Sequence, residues 1–168
     1  MGEAPSSIKA VGFDLDGTLY FITPEMQDVV ARKVIRTVFK IIPGLQATEN
    51  AENFLIERHR EIGSWSRVLS DIGIKNPTRI LSECLASADI IDLVKRDDKL
   101  SDIIRALSKK YYLFIITGSL RQFAIQKLKK IGIDPDLFSY SFFQDDPNFT
   151  SKIEPENFKH FLLQSKYA

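Results

Sequence analysis

Apolar positions along the chain follow two different periods, and the change from one to the other sets out its elements. Ile8 to Phe13 is a short apolar run that predicts a buried strand, ended where Gly17 turns the chain away. Thr23-Pro24-Glu25 then has the order of a helix start: an N-cap hydroxyl, proline at the first position and an early acid. Met26, Val29, Val30, Val34, Ile35, Val38 and Phe39 follow at three-to-four spacing, a wide apolar stripe that stops before Pro43-Gly44. Ala47 to Ile62 continues with helix formers and the apolar positions Phe54, Leu55, Ile56 and Ile62, and Gly63-Ser64 interrupts before Trp65, Val68, Leu69 and Ile72. Asn76-Pro77 opens another helix by the same cap-then-proline rule, running through Ile80, Leu81 and Leu85 toward Val94.

Beyond Lys95 the pattern alternates. Leu100, Ile103, Ile104 and Leu107 mark an amphipathic helix, and Tyr111 to Ile116 is a continuous apolar strand closed by Thr117-Gly118-Ser119. Ser119 and Gln122 form a capping-box pattern ahead of a helix that carries Leu120, Phe123, Ala124, Leu128 and Ile131, with Gly132 as its C-cap. Leu137 to Phe143 predicts a third strand, 144–151 a polar loop, and Pro155 the start of a last helix with Phe158, Phe161 and Leu162 inward. This order predicts an α/β parallel-sheet core made by residues 1–22 and 93–168, interrupted directly after its first strand by an all-helical insertion, residues 23–92.

Composition narrows the partners more than the fold. The chain has 168 residues, 44% hydrophobic and 27% charged, which suits a soluble domain, and no apolar run is long enough to span a membrane. Lys and Arg total 23 against 22 acids, so a net charge of +1 gives no broad basic field for nucleic acid and a small-molecule partner is expected. The single cysteine, Cys84, has no internal disulfide partner and reads as a helical core residue; with an N-terminus unlike a signal peptide, the expected location is a reducing cytoplasm.

In parallel α/β sheets ligands lie beyond the carboxyl ends of the strands, and here those ends carry Asp14, Asp16, Thr117 and Gly118. Asp14 and Asp16 start on one face of the strand, although the turn at Gly17 can swing Asp16 aside. The turn after Thr117 predicts free N–H groups at a helix N-terminus, an anion cradle to which Lys152 adds a compact positive charge. A phosphate ester is the natural ligand of such a set.

Phe13-Asp14-Leu15-Asp16-Gly17-Thr18, then Ile115-Ile116-Thr117-Gly118, then Lys152 three residues before Pro155 together resemble the haloacid dehalogenase superfamily, in the order that family uses. The resemblance spans residues 8 to about 163 and implies an α/β, Rossmann-like sheet with a helical type 1 cap at 23–92. It implies that Asp14 attacks phosphorus to form an aspartyl-phosphate, and that Asp16 protonates the leaving oxygen and then activates water. It further implies that Thr117, Gly118 and Lys152 hold the phosphoryl oxygens, with Mg²⁺ on the Asp14 carboxylate and the Asp16 carbonyl. Dehalogenases of the superfamily lack the second acid and its transport ATPases carry lysine there, so Asp16 favours a phosphatase or, alternatively, a phosphomutase. The substrate implied is a small phosphorylated metabolite, and Arg58, His59, Arg60 and Trp65 of the cap are the candidates for choosing it.

One departure stands out. The superfamily's fourth motif, an acidic element downstream of the lysine that completes the metal site, is not found: Glu154 and Glu156 begin the last helix, and Asp145-Asp146 precedes Lys152 and suits a turn beside Pro147. The core thus reads as incomplete, truncated before motif four. Weak Mg²⁺ binding, slow or absent turnover and self-association through an open sheet edge are expected of these residues, and a non-catalytic phosphate-binding or interaction module is the rival reading.

Overall fold

The computed structural model describes residues 8–42, 44, 46–86, 88–147, 149 and 159. They form three parallel strands, β1 (Ala10–Phe13), β2 (Tyr112–Ile116) and β3 (Tyr140–Phe142), in the order β1-β2-β3. Between β1 and β2 lie α1 (Pro24–Ile41), α2 (Glu49–Ile62), α3 (Trp65–Asp71), α4 (Pro77–Leu85), α5 (Ala88–Leu93) and α6 (Asp98–Ser108). Between β2 and β3 lie α7 (Arg121–Ile131) and a short 3-10 turn, Pro135–Leu137. The chain divides into two compact units, Met1–Phe21 with Val94–Ala168 and, separately, Ile22–Leu93.

The α/β unit is organised by β2, whose Leu113 and Ile115 are fully buried. Register is set residue by residue, Phe13 opposite Ile115 and Ile116 opposite Phe142, so the carboxyl ends of the strands finish level. The core is closed by Ile104 of α6, by Ala124, Leu128 and Ile131 of α7, and by Ile133, all nearly inaccessible. Each large aliphatic side chain buried this way contributes on the order of 1.5–3 kcal/mol. β1 departs from the buried strand its sequence predicts. It starts only at Ala10, Ile8 is 72% exposed, and among the described residues it pairs on one side alone, with β2. Gly12 sits opposite Phe114, whose ring folds over it so closely that an added Cβ would lie 2.3 Å from the ring.

The helical unit has its own core. Thr23 caps α1 by accepting from the Met26 N–H, and Met26, Val30, Val34, Ile35 and Val38 are buried while Val29 and Phe39 are only half-buried. α1 packs on α2, α4 and α5, and α3 links α2 to α4. The expected run from Pro77 toward Val94 is two helices, broken after Leu85. Asn76 does not cap α4: its φ of 58° puts it in the left-handed region and its side chain bonds to none of the first-turn N–H groups. Cys84 is buried beside Thr37, and burial pushes its thiol up, as a core residue requires. Ile103 of α6, expected inward, is 47% exposed; the inward positions of that helix are Ser101 and Ile104. No helix of the described residues is long and apolar enough to cross a membrane. Lys152 and Pro155, where the last helix is expected to open, lie outside the described residues, and of the expected loop 144–151 the structure describes 144–147 and 149.

Gly12→Ala forces the Phe114 ring off the strand and is expected to destabilise the α/β unit by about 1–3 kcal/mol. Denaturant unfolding of Gly12→Ala with and without Phe114→Ala checks this. The two changes together should cost less than their sum.

Candidate active site

β1 ends at Phe13, and the next residues turn at once. The Leu15 carbonyl accepts from the N–H groups of Thr18 and Leu19, while Gly17 takes a φ of 79°, which the tight turn requires and which glycine adopts at little cost. Leu15 and Leu19 are buried and anchor this turn to the core. Asp14 stands at the strand end, its Oδ1 accepting from the Leu15 N–H at 2.8 Å.

Asp16 is enclosed by donors from four residues. Its Oδ1 accepts from Tyr20 Oη at 2.5 Å and from Lys127 Nζ at 2.6 Å. Its Oδ2 accepts from Ser119 Oγ at 2.6 Å and, more weakly, from Thr117 Oγ1 at 3.4 Å. Lys127 Nζ also donates to Ser119 Oγ at 3.1 Å, closing a triangle of lysine, serine and carboxylate. Burial alone would raise the Asp16 carboxyl, but the charge of Lys127 and the hydrogen bonds from Lys127, Ser119 and Tyr20 outweigh it and hold the group below its ordinary value. Burial, followed by the Asp16 charge, pushes the Tyr20 phenol up, so it stays a donor.

Lys127 is the residue that sequence reasoning missed. Its side chain is 1% exposed, and a lysine is almost never so buried without a partner. The signal was present: Ala124, Lys127, Leu128 and Ile131 share one face of α7, so a charge stands inside an apolar stripe. Ser119 was misread in a different way. The N-cap of α7 is Leu120, which makes no side-chain cap bond, and the Ser119 hydroxyl is turned to Asp16 instead.

The anion cradle differs from its expectation. The Thr117 N–H donates to the Phe142 carbonyl and the Ser119 N–H to Thr117 Oγ1. At the first residue of α7, the Arg121 N–H is taken by Asp145 Oδ1 at 2.7 Å. Asp146 pairs with the Arg121 side chain and accepts from the Phe143 N–H at 2.8 Å, so Asp145-Asp146 both cap a helix and shape a turn. Thr117 is fully buried against Asp16, and an added Cβ at Gly118 would meet open space. Lys152 lies outside the described residues.

The four residues named for specificity lie in the helical unit. Arg58 pairs with Glu61 at 2.8 Å and Asp71 at 3.0 Å, and Arg60 pairs with Glu57. His59 stacks on Trp65 with ring centroids 4.3 Å apart, and Trp65 is buried. Burial lowers the His59 pKa.

A model of the haloacid dehalogenase-like hydrolase family matches residues 8–166. The chain belongs to that family. Comparison with curated proteins finds no match. Among solved structures, a Bacillus subtilis haloacid dehalogenase-type hydrolase with magnesium bound shares 16% identity at a TM-score of 0.55, over 97% of this chain and 77% of its own. A Thermotoga maritima protein assigned as a β-phosphoglucomutase shares 20% at 0.53, over 94% and 70%. A Haemophilus somnus protein assigned as a phosphoglycolate phosphatase shares 18% at 0.54, over 96% and 73%. These likenesses establish the fold, and in this chain Asp14 and Asp16 follow directly on the carboxyl end of β1.

Removing one member of the buried pair strands the other. Lys127→Met is expected to cost about 3–5 kcal/mol, and Asp16→Asn added to it should recover most of that. The sign with pH follows from the lowered Asp16 pKa. Its stabilisation is fully present above the unfolded value of about 3.9 and is lost as pH falls through the lower folded value. In Lys127→Met that acid-side loss should shrink or reverse, which unfolding midpoints measured from about pH 7 to about pH 2 will read.

Proposed function

We propose that the chain is a Mg²⁺-dependent phosphatase that cleaves a small phosphorylated metabolite through an aspartyl-phosphate on Asp14. The observation that carries the reading is the second carboxylate, Asp16, held in a buried set of donors two residues beyond Asp14. Hydrolysis at carbon by an attacking aspartate needs no such acid, whereas an ester oxygen leaving phosphorus must gain a proton.

Asp14 attacks phosphorus as the bond to the ester oxygen breaks, and Asp16, having taken up the proton that the phosphate monoanion brings, gives it to that oxygen. Water then attacks the phosphorus of the aspartyl-phosphate, Asp16 takes a proton from it, and phosphate leaves with Asp14 restored. Thr117, the Gly118 N–H and Lys152 are the groups proposed to steady the phosphoryl oxygens. The protein donors fit Mg²⁺ in kind: hard oxygens from the Asp14 carboxylate and the Asp16 carbonyl, with substrate phosphate and water free to supply the rest, as this ion prefers. No group of three or more His, Cys, Asp or Glu that could hold a metal ion occurs among the described residues. When bound, the ion offsets the negative charge between Asp14 and the phosphate.

A panel of sugar phosphates, phosphoglycolate and nucleoside monophosphates, assayed with and without Mg²⁺, tests this. Slow Mg²⁺-dependent phosphate release is expected, lowered on the order of a thousandfold or more by Asp14→Asn. Release of inorganic phosphate, as opposed to isomerised ester, separates a phosphatase from a mutase. No release from any ester, or activity surviving in Asp14→Asn, would overturn the proposal.

A further inference from the structure

We infer that Lys127 is a positioning residue for Asp16, fixing the orientation of the carboxylate that serves the leaving group; the inference rests on the phosphatase reading. Asp16 lies on a turn, where a short side chain could take several orientations. Lys127 comes from α7, which Ala124, Leu128 and Ile131 lock into the core. A rigid element therefore sets the position of a group carried by a loop.

The two oxygens of Asp16 face different chemistry. Oδ1 meets Lys127 Nζ at 2.6 Å, and an ammonium has only hydrogens to offer. A proton placed on Oδ1 would point at donors. Oδ2 meets the hydroxyls of Ser119 and Thr117, at 2.6 and 3.4 Å, and a hydroxyl can rotate from donating to accepting. Lys127 therefore pins Oδ1 and turns Oδ2 to the two hydroxyls. Ser119 serves both ends, because its Oγ also receives Lys127 Nζ at 3.1 Å. Once the Ser119 proton turns away from Oδ2, that second contact with the ammonium stays intact.

The test compares two esters of similar size in the presence of Mg²⁺. 4-Nitrophenyl phosphate has a leaving group that departs with little protonation, and benzyl phosphate has one that requires it. In the unaltered chain, Lys127→Met, Ser119→Ala and Asp16→Asn, kcat/KM for each ester reads the step in which the leaving group departs. Lys127→Met should lose about a hundredfold on benzyl phosphate and less than about tenfold on 4-nitrophenyl phosphate, the same selectivity in kind as Asp16→Asn. Ser119→Ala, which keeps the charge pair, should shift the ratio in the same direction by a smaller factor, and it decides the matter if thermal melts show Lys127→Met unfolded. Equal losses on both esters, or an unchanged rate on benzyl phosphate, would overturn the role of Lys127 while leaving the phosphatase reading intact. If the unaltered chain hydrolyses neither of these esters nor any of the metabolite panel, the phosphatase reading fails, and this inference falls with it.

Discussion

A lysine ammonium excluded from water is held here by a single carboxylate, and the geometry of the α/β unit follows from the need to bring the two together. Taking two opposite charges out of water costs several kcal/mol per ion, recovered only when their contacts are short and their remaining valences filled. Both conditions are met between Lys127 and Asp16, at 2.6 Å with Ser119 and Tyr20 completing the set. Parallel register puts the ends of β1 and β2 level, so the turn bearing Asp16 and the turn bearing Ser119 emerge side by side. Side chains on a helix slant toward its N-terminus, so a lysine six residues into α7 reaches back to those turns.

The same requirement explains why the turn chemistry after β2 departs from an ordinary helix start. A serine before a helix normally caps it, yet Ser119 is committed to Asp16, and the exposed N–H at Arg121 is satisfied by Asp145 from beyond β3. One acid is thus displaced from a turn to replace a cap that the site has taken. The Thr117 N–H, bound to the Phe142 carbonyl, ties the same turn to β3. What remains for a phosphate in this region is accordingly more restricted than a bare helix terminus would offer.

Much of this was legible in the sequence because it is local. Thr23-Pro24 starts a helix by chemistry within four residues, and Tyr111 to Ile116 is apolar enough to be a buried strand wherever it is placed. The departures arise where a distant partner overrides a local rule. Asn76 carries the right side chain for a cap, but its left-handed backbone leaves α4 uncapped. Ser119 fits a capping box until a carboxylate 103 residues away claims its hydroxyl. Arg58 and Arg60, conspicuous as free cations in the sequence, are paired with acids of their own helical unit. Lys127 is the hardest case, since a lone lysine among Gln126, Lys129 and Lys130 looks solvated until its position on the apolar stripe of α7 is plotted.

Stability by itself does not account for the pair. Apolar side chains of matching volume at positions 16 and 127 would hold the fold as well or better, because a buried ion pair seldom outperforms the hydrophobic contact that can replace it. The phenol of Tyr20 sharpens the point, as it is pushed up by burial and by the Asp16 charge, yet stays as one more donor to an oxygen that already has an ammonium. Donors gathered around one carboxylate make sense if the carboxylate itself must be held at one orientation. On that reading the ion pair belongs to the reaction. The α/β unit carries its cost because the core of that unit, Leu113, Ile115, Leu128 and Ile131, is packed without access to water.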